Sequence, residues 1–148
     1  ESSAPSMNQG SLAHRVTQDY AAAVFARDID AFMRLYAEDV RVFDAWGVWS
    51  YEGAEAWRSM VTQWFGSLGA ERVRVSFADL SAVGDGEITT VSAFVTYASV
   101  TESGEPLRAM QNRITWVIRG TGVDARILHE HTSAPIDFKN AQAILKRS

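Results

Sequence analysis

At Gly69 the hydrophobic repeat of this chain changes period, and that change limits the fold more than any other feature of the sequence. Upstream, apolar residues recur every three to four positions. Leu12, Val16, Tyr20, Ala23 and Val24 form one run, Phe32, Leu35 and Tyr36 a second, and Trp57, Met60, Val61, Trp64, Phe65 and Leu68 a third. This is the spacing of helices that each bury one stripe. Downstream, Val73, Val75 and Phe77 alternate with Arg72, Arg74 and Ser76, the period of a half-buried strand. Long β-rich runs follow at 88–100, 107–118 and 125–133, parted by the turn sequences 84–86, 102–105 and 120–122. A short strand at 40–44 lies between the second and third helical runs. Helices first and an antiparallel meander afterwards make an α+β domain rather than a βαβ one.

The ends of these elements are less well marked. Ser11 is the expected N-cap of the first helix and Asp30 of the second, and 141–146 reads as a short tail helix. The organisation expected is a disordered N-terminal segment or tag over 1–10, with Met7 as the native start, one domain over 11–137, and a tail over 138–148. Interspersed charges, a net charge of −4 and no basic run argue against a nucleic-acid partner. The absence of cysteine excludes disulfides and thiolate chemistry. No apolar run reaches membrane-span length, and the polar first residues lack an apolar signal core, so the expectation is a soluble cytoplasmic protein.

Both faces of the long strands carry apolar residues. In 88–100 one face holds Ile88, Phe94 and Val100, and the other Val91, Val95 and Tyr97. In 110–118, Ile114, Trp116 and Ile118 share a face, with Val117 opposite. Three helices cover one side of such a sheet, so the other needs a cover. A second subunit gives a homodimer, with Ile114 and Trp116 facing it and Arg113 facing inward; a folded-back C-terminal tail is the alternative.

Three stretches carry a family resemblance. Residues 16–32 followed by AEDVRVFDAWG at 37–47 resemble the opening of ketosteroid isomerases, with Tyr20 and Asp44 at the spacing of the catalytic tyrosine and aspartate there. NRITWVIRGTG at 112–122 and LHEHTSAP at 128–135 resemble the last strands of SnoaL-like and kinase-association domains. Together they liken most of 12–135 to the NTF2-like superfamily, and most closely to its SgcJ/EcaC-type SnoaL-like subgroup, which accompanies polyketide pathways, enediyne ones included. The resemblance implies an NTF2-like (cystatin-like) cone: three N-terminal helices on a curved, mainly antiparallel sheet that encloses a pocket.

Asp44 shares a strand face with Val40 and Val42, so a carboxyl there points inward and is hard to ionise, as suits a general base. The plain alternative is an aspartate capping the Trp46–Gly47 turn. Tyr20 lies on the apolar stripe of the first helix. A buried tyrosine needs a hydroxyl partner, which by resemblance is a developing enolate oxygen and otherwise a main-chain carbonyl. Arg113, with Gln111 and Asn112 beside it, stands where the isomerases carry a second acid, and suggests a pocket for an anion or a polarised carbonyl. His129 and His131 share a face of the last strand with Ser133, while Glu130 points the other way, to an interface or solvent. Two histidines without further ligands make no metal site, so pocket hydrogen bonding or sheet-end packing is expected of them. Trp46 and Trp49, in a loop, are candidates to stack on a ligand, whereas Trp57 and Trp64 read as core. No nucleotide, dinucleotide or serine-hydrolase motif is present, and no cofactor is expected.

Two functions lead at this point, ahead of a third, a pure oligomerisation module like the kinase-association domain. In one, Asp44 moves a proton next to a carbonyl of a polyketide-like compound while Tyr20 stabilises the enolate, in an isomerase, cyclase or dehydratase. In the other, the pocket holds a hydrophobic or carboxylate ligand without chemistry and the domain partners a biosynthetic synthase.

Overall fold

The computed structural model describes residues 8–148. The first seven residues of the expected N-terminal segment lie outside the described residues; its last two open the first helix. Helix α1 (Gln9–Ala26) buries the predicted stripe of Leu12, Val16, Tyr20, Ala23 and Val24. Its cap is Asn8, not Ser11: the Asn8 side chain accepts a 2.7 Å bond from the Ser11 N–H. Helix α2 (Ile29–Met33) is likewise capped earlier than expected, by Asp28, whose carboxylate accepts from the Ala31 N–H at 3.0 Å. Asp30 then sits in the first turn, where its charge favours the helix dipole.

Tyr36 does not continue α2. It opens strand β1 (Tyr36–Phe43), which is longer than the 40–44 expected. A two-residue strand that periodicity could not reveal, β2 (Tyr51–Glu52), pairs with it. Gly53, at φ 91°, turns the chain into α3 (Ala54–Gly66), which buries Trp57, Val61 and Phe65. Strands β3 (Arg72–Gly84), β4 (Ile88–Val100), β5 (Pro106–Arg119) and β6 (Arg126–Ser133) complete the described elements. The tail forms turns and one bridge, Ile136 to Ala143, in place of the expected helix.

The sheet order is β2-β1-β6-β5-β4-β3, antiparallel except where β1 and β6 run parallel. Among the described residues, three helices lie against one face of a curved six-stranded sheet, as the α+β reading expected. The inner face carries Val42, Glu130, Trp116 and Val91 in one cross-strand row, and Thr132, Ile114 and Ala93 in the next. Ile114, Trp116 and Ile118 are therefore core residues, not partner-facing ones. The helices pack on the bulkier face because it removes more apolar area from water. The outer face holds Phe43, Phe94, Thr115, Val117, His129 and His131, and the tail crosses part of it. Gln111 N–H donates to the Leu145 carbonyl at 2.7 Å, and the Arg147 guanidinium lies 3.9 Å from the centre of the Phe94 ring.

Candidate functional site

Between the helices and the inner face lies a cavity of about 530 Å³. Its walls are largely apolar: Trp57, Met60, Trp64, Leu68, Val73 and Met110. Into it project Tyr20, Tyr97, Asp44, Glu130 and Asn112, a small polar set in an aromatic cage. That is the composition of a small-molecule site.

Asp44 follows β1 directly and keeps the inward parity of Val40 and Val42. Its Oδ1 accepts from the Thr132 hydroxyl at 3.0 Å, and its Oδ2 from the Trp46 N–H at 3.4 Å. Thr132 in turn accepts from the Ala45 N–H at 2.8 Å, so β6 braces the turn that carries the carboxyl. Burial raises the Asp44 pKa above the usual aspartate value, against the lowering effect of the Thr132 hydroxyl and the Trp46 and Ala45 N–H groups. Trp46 lines the cavity beside it.

Tyr20 stands where the helical stripe placed it, between Phe32, Phe77 and Trp116. Its hydroxyl lies 2.8 Å from that of Tyr97 on β4. One hydroxyl donates to the other, and the second keeps its proton for something in the cavity. Burial holds both phenols well above the ordinary tyrosine pKa, so both stay protonated near neutral pH.

Glu130 overturns the expectation that it points to solvent or an interface. It is 1% exposed and lines the cavity. Its Oε1 accepts from the Tyr36 hydroxyl at 2.5 Å and from the Trp116 indole N–H at 2.9 Å. Burial pushes its pKa up to about 7, although both hydrogen bonds favour the anion. A β-bulge explains the misreading. Ile118 pairs with Ile127 and Val117 with His129, which leaves Leu128 as an extra residue on β6. Beyond that point the side-chain alternation is reversed, so Glu130 and Thr132 turn inward and His129 and His131 outward.

The remaining expected site residues are not brought together. Arg113 is exposed on the outer face, where its Nε donates to the Ser133 hydroxyl at 3.1 Å. The inward residue beside it is Asn112. His129 and His131 sit on the outer face with their rings edge-on to Phe43, at 5.1 and 5.5 Å, and His129 Nδ1 lies 2.7 Å from the Arg41 carbonyl. Among the described residues, no cluster of three or more His, Asp or Glu side chains could hold a metal ion. Trp49 is 95% exposed and does not line the cavity. Trp57 is a core residue as expected and Trp64 packs against the core, and both also line the cavity. Tyr97 and Glu130 are cavity residues that the sequence does not reveal, as are Ser99 and Arg108 at its rim. Tyr97 reads in the sequence only as apolar, and its signal is a phenol placed on the inner face among valines.

Among the described residues, no helix is long and apolar enough to cross a membrane. The architecture recurs in solved structures. An NTF2-like protein of unknown function from Pseudomonas putida KT2440 superposes with a TM-score of 0.81 at 22% identity, covering 96% of this chain and 99% of that one. Aln2 from a Streptomyces species gives 0.72 at 16% identity, over 86% and 93% of the two chains. An NTF2-like protein with a cystatin-like fold from Novosphingobium aromaticivorans gives 0.71 at 16% identity, over 90% and 85%. Among curated proteins none matches. A family profile described as the SnoaL-like domain matches residues 14–137. The chain therefore belongs to the SnoaL-like domain family, and its fold is that of NTF2-like proteins.

Proposed function

We propose that the cavity performs cofactor-independent proton transfer next to a carbonyl in a hydrophobic, polyketide-like substrate. The observation that carries this reading is the convergence of Asp44, Glu130 and the Tyr20–Tyr97 hydroxyl pair on one apolar cavity. The substrate carbonyl accepts from whichever of Tyr20 and Tyr97 keeps its proton. Asp44 takes the proton from the adjacent carbon, and the electron pair of that C–H bond moves into the carbonyl to give an enolate. The phenol donor stabilises the enolate oxygen as charge develops. Glu130, near half-protonated at pH 7, supplies a proton to a second carbon in an isomerisation, or to a departing hydroxide in a dehydration. Asp44 and Glu130 thus divide the base and acid roles. We also propose that the protein works as a homodimer through the outer face of the sheet.

The test is solvent exchange. Ketones with apolar skeletons are incubated in deuterated water with the protein, and incorporation next to the carbonyl is followed by NMR. Asp44→Asn is expected to slow exchange by about 10² to 10⁴-fold, the range of a general base. Tyr20→Phe is expected to slow it by on the order of 10²-fold, the range of one oxyanion donor. Exchange that continues unchanged in both variants contradicts the mechanism.

One observation favours a second reading. Both carboxylate oxygens of Asp44 are already hydrogen-bonded, one to its own turn and one to the neighbouring strand. A purely structural Asp44 leaves the cavity as a binding site for a hydrophobic or carboxylate ligand, serving a synthase without chemistry of its own.

A further inference from the structure

Asn112 is a polar side chain of the cavity's buried wall that the proposed mechanism leaves unused. It is 6% exposed, it lines the cavity, and its Oδ1 is sealed from solvent without a hydrogen-bond partner. Most other polar groups buried in that wall have partners: Tyr20 and Tyr97 have each other, and Glu130 has Tyr36 and Trp116. The Trp57 indole N–H also lacks one, but it is a donor, so Asn112 Oδ1 is the wall's unpartnered acceptor. A buried amide oxygen without a donor is destabilising, and native folds keep few of them. Leucine, of nearly the same shape, would avoid that penalty at this position. Oδ1 is closed off in this structure, so a ligand reaches it only when the amide turns toward the cavity; the residue makes sense if that ligand brings the missing donor.

The sheet register locates this point relative to the chemistry. Asp44 extends the row of Thr132 and Ile114, and Asn112 stands one inward step further along β5. One such step is about 7 Å, and two strand spacings separate β1 from β5, so the Cα atoms of Asp44 and Asn112 lie roughly 12 Å apart across the cavity. The two side chains therefore meet different atoms of one ligand.

We infer that Asn112 is a specificity-determining residue, and that the substrate is an apolar skeleton carrying a second polar function, a hydroxyl that donates to Asn112 Oδ1, apart from its reacting carbonyl. This rests on the proposed function for the identity of the reacting end, but the binding preference stands or falls separately. A site built to bond a hydroxyl discriminates strongly against the analogue lacking it, because its own polar group is then left unpaired.

The experiment compares 1-naphthol with 1,5-dihydroxynaphthalene by isothermal titration calorimetry on the full chain. The first hydroxyl of either probe can serve the tyrosine pair, and only the second tests Asn112. The wild-type protein is expected to bind the dihydroxy probe about 10-fold more tightly than the monohydroxy one, the scale of one buried hydrogen bond. Asn112→Leu is expected to abolish that ratio while keeping 1-naphthol affinity. Asn112→Ala, which only removes atoms, carries the same expectation should the leucine variant not fold. Asn112→Asp, which keeps an acceptor at the same place, is expected to retain the ratio. Tyr20→Phe should weaken both probes equally and leave the ratio intact. A ratio near one in the wild-type protein, binding of neither probe, or a ratio that survives Asn112→Leu overturns the inference. Loss of deuterium exchange in Asp44→Asn with no Asn112-dependent ratio would sink the inference alone. An Asn112-dependent ratio with unchanged exchange in Asp44→Asn would sink the chemistry alone.

Discussion

Glu130 is the residue on which stability and function meet. Its carboxyl is buried with its pKa raised from 4.5 to about 7, so the folded protein holds a proton that the unfolded chain releases between those values. Because the folded state binds more protons there, the stability that Glu130 contributes is full below about pH 4.5 and is lost as pH rises through 7. The size of the loss is on the order of 3 kcal/mol. Glu130→Gln keeps the shape and removes the titration. Urea unfolding between pH 4.5 and 8 is expected to show this fall in the wild-type protein and a flatter profile in the variant. Equal slopes would mean that Glu130 is solvated or ionised in the fold. The neighbouring residues differ in how far they are legible in the sequence. Tyr20 and Asp44 are legible because each lies on a regular face, one helical and one extended. Glu130 is not, because the extra residue Leu128 reverses the alternation that any strand reading relies on.

At the scale of elements, hydrophobic period decides what forms, while caps and bulges decide where each element ends. The limits of β4 match the run read from sequence, and the meander order is as expected. Helix starts move by two or three residues because Asn8 and Asp28 offer side-chain acceptors ahead of Ser11 and Asp30. β2 is invisible in the sequence, since two residues have no period. The face of β5 is misassigned there because both of its faces carry apolar side chains, and volume rather than presence decides which is buried. Arg113 goes outward with that correction. The β3–β4 hairpin supplies a prediction at this scale. A Cβ on Gly84 would meet the Ile88 carbonyl oxygen at 2.2 Å and the Thr89 Cα at 2.8 Å, both backbone atoms that cannot swing aside. Gly84→Ala should therefore destabilise the fold by about 1–3 kcal/mol or more, the range of a forced overpacking. A denaturation midpoint equal to that of the wild type would show that the hairpin shifts freely.

For the molecule as a whole, the curved sheet does two jobs with its two faces. The inner face and the helices enclose the cavity. The outer face is partly crossed by the tail, with Arg147 over Phe94, while Phe43 and its two histidines lie beyond it. If a second copy covers that remainder, sedimentation velocity at micromolar concentration will give the mass of two chains. Phe43→Glu, which places a charge in the middle of the contact, will give one chain with the cavity intact. A monomer in the wild-type protein would mean that the tail alone suffices as cover.

The catalytic and the binding readings of the cavity differ most sharply in the state of Asp44. A base held in a dry site has a raised pKa, whereas a structural carboxylate stabilised by its turn has a lowered one. The direct measurement is a carbon-13 NMR titration of the side-chain carboxyls, assigned with Asp44→Asn and Glu130→Gln. The midpoint expected for Asp44 is above the ordinary 3.8, and that for Glu130 is about 7. An Asp44 midpoint below 3.8 would contradict proton transfer by this carboxyl and leave the cavity as a binding site.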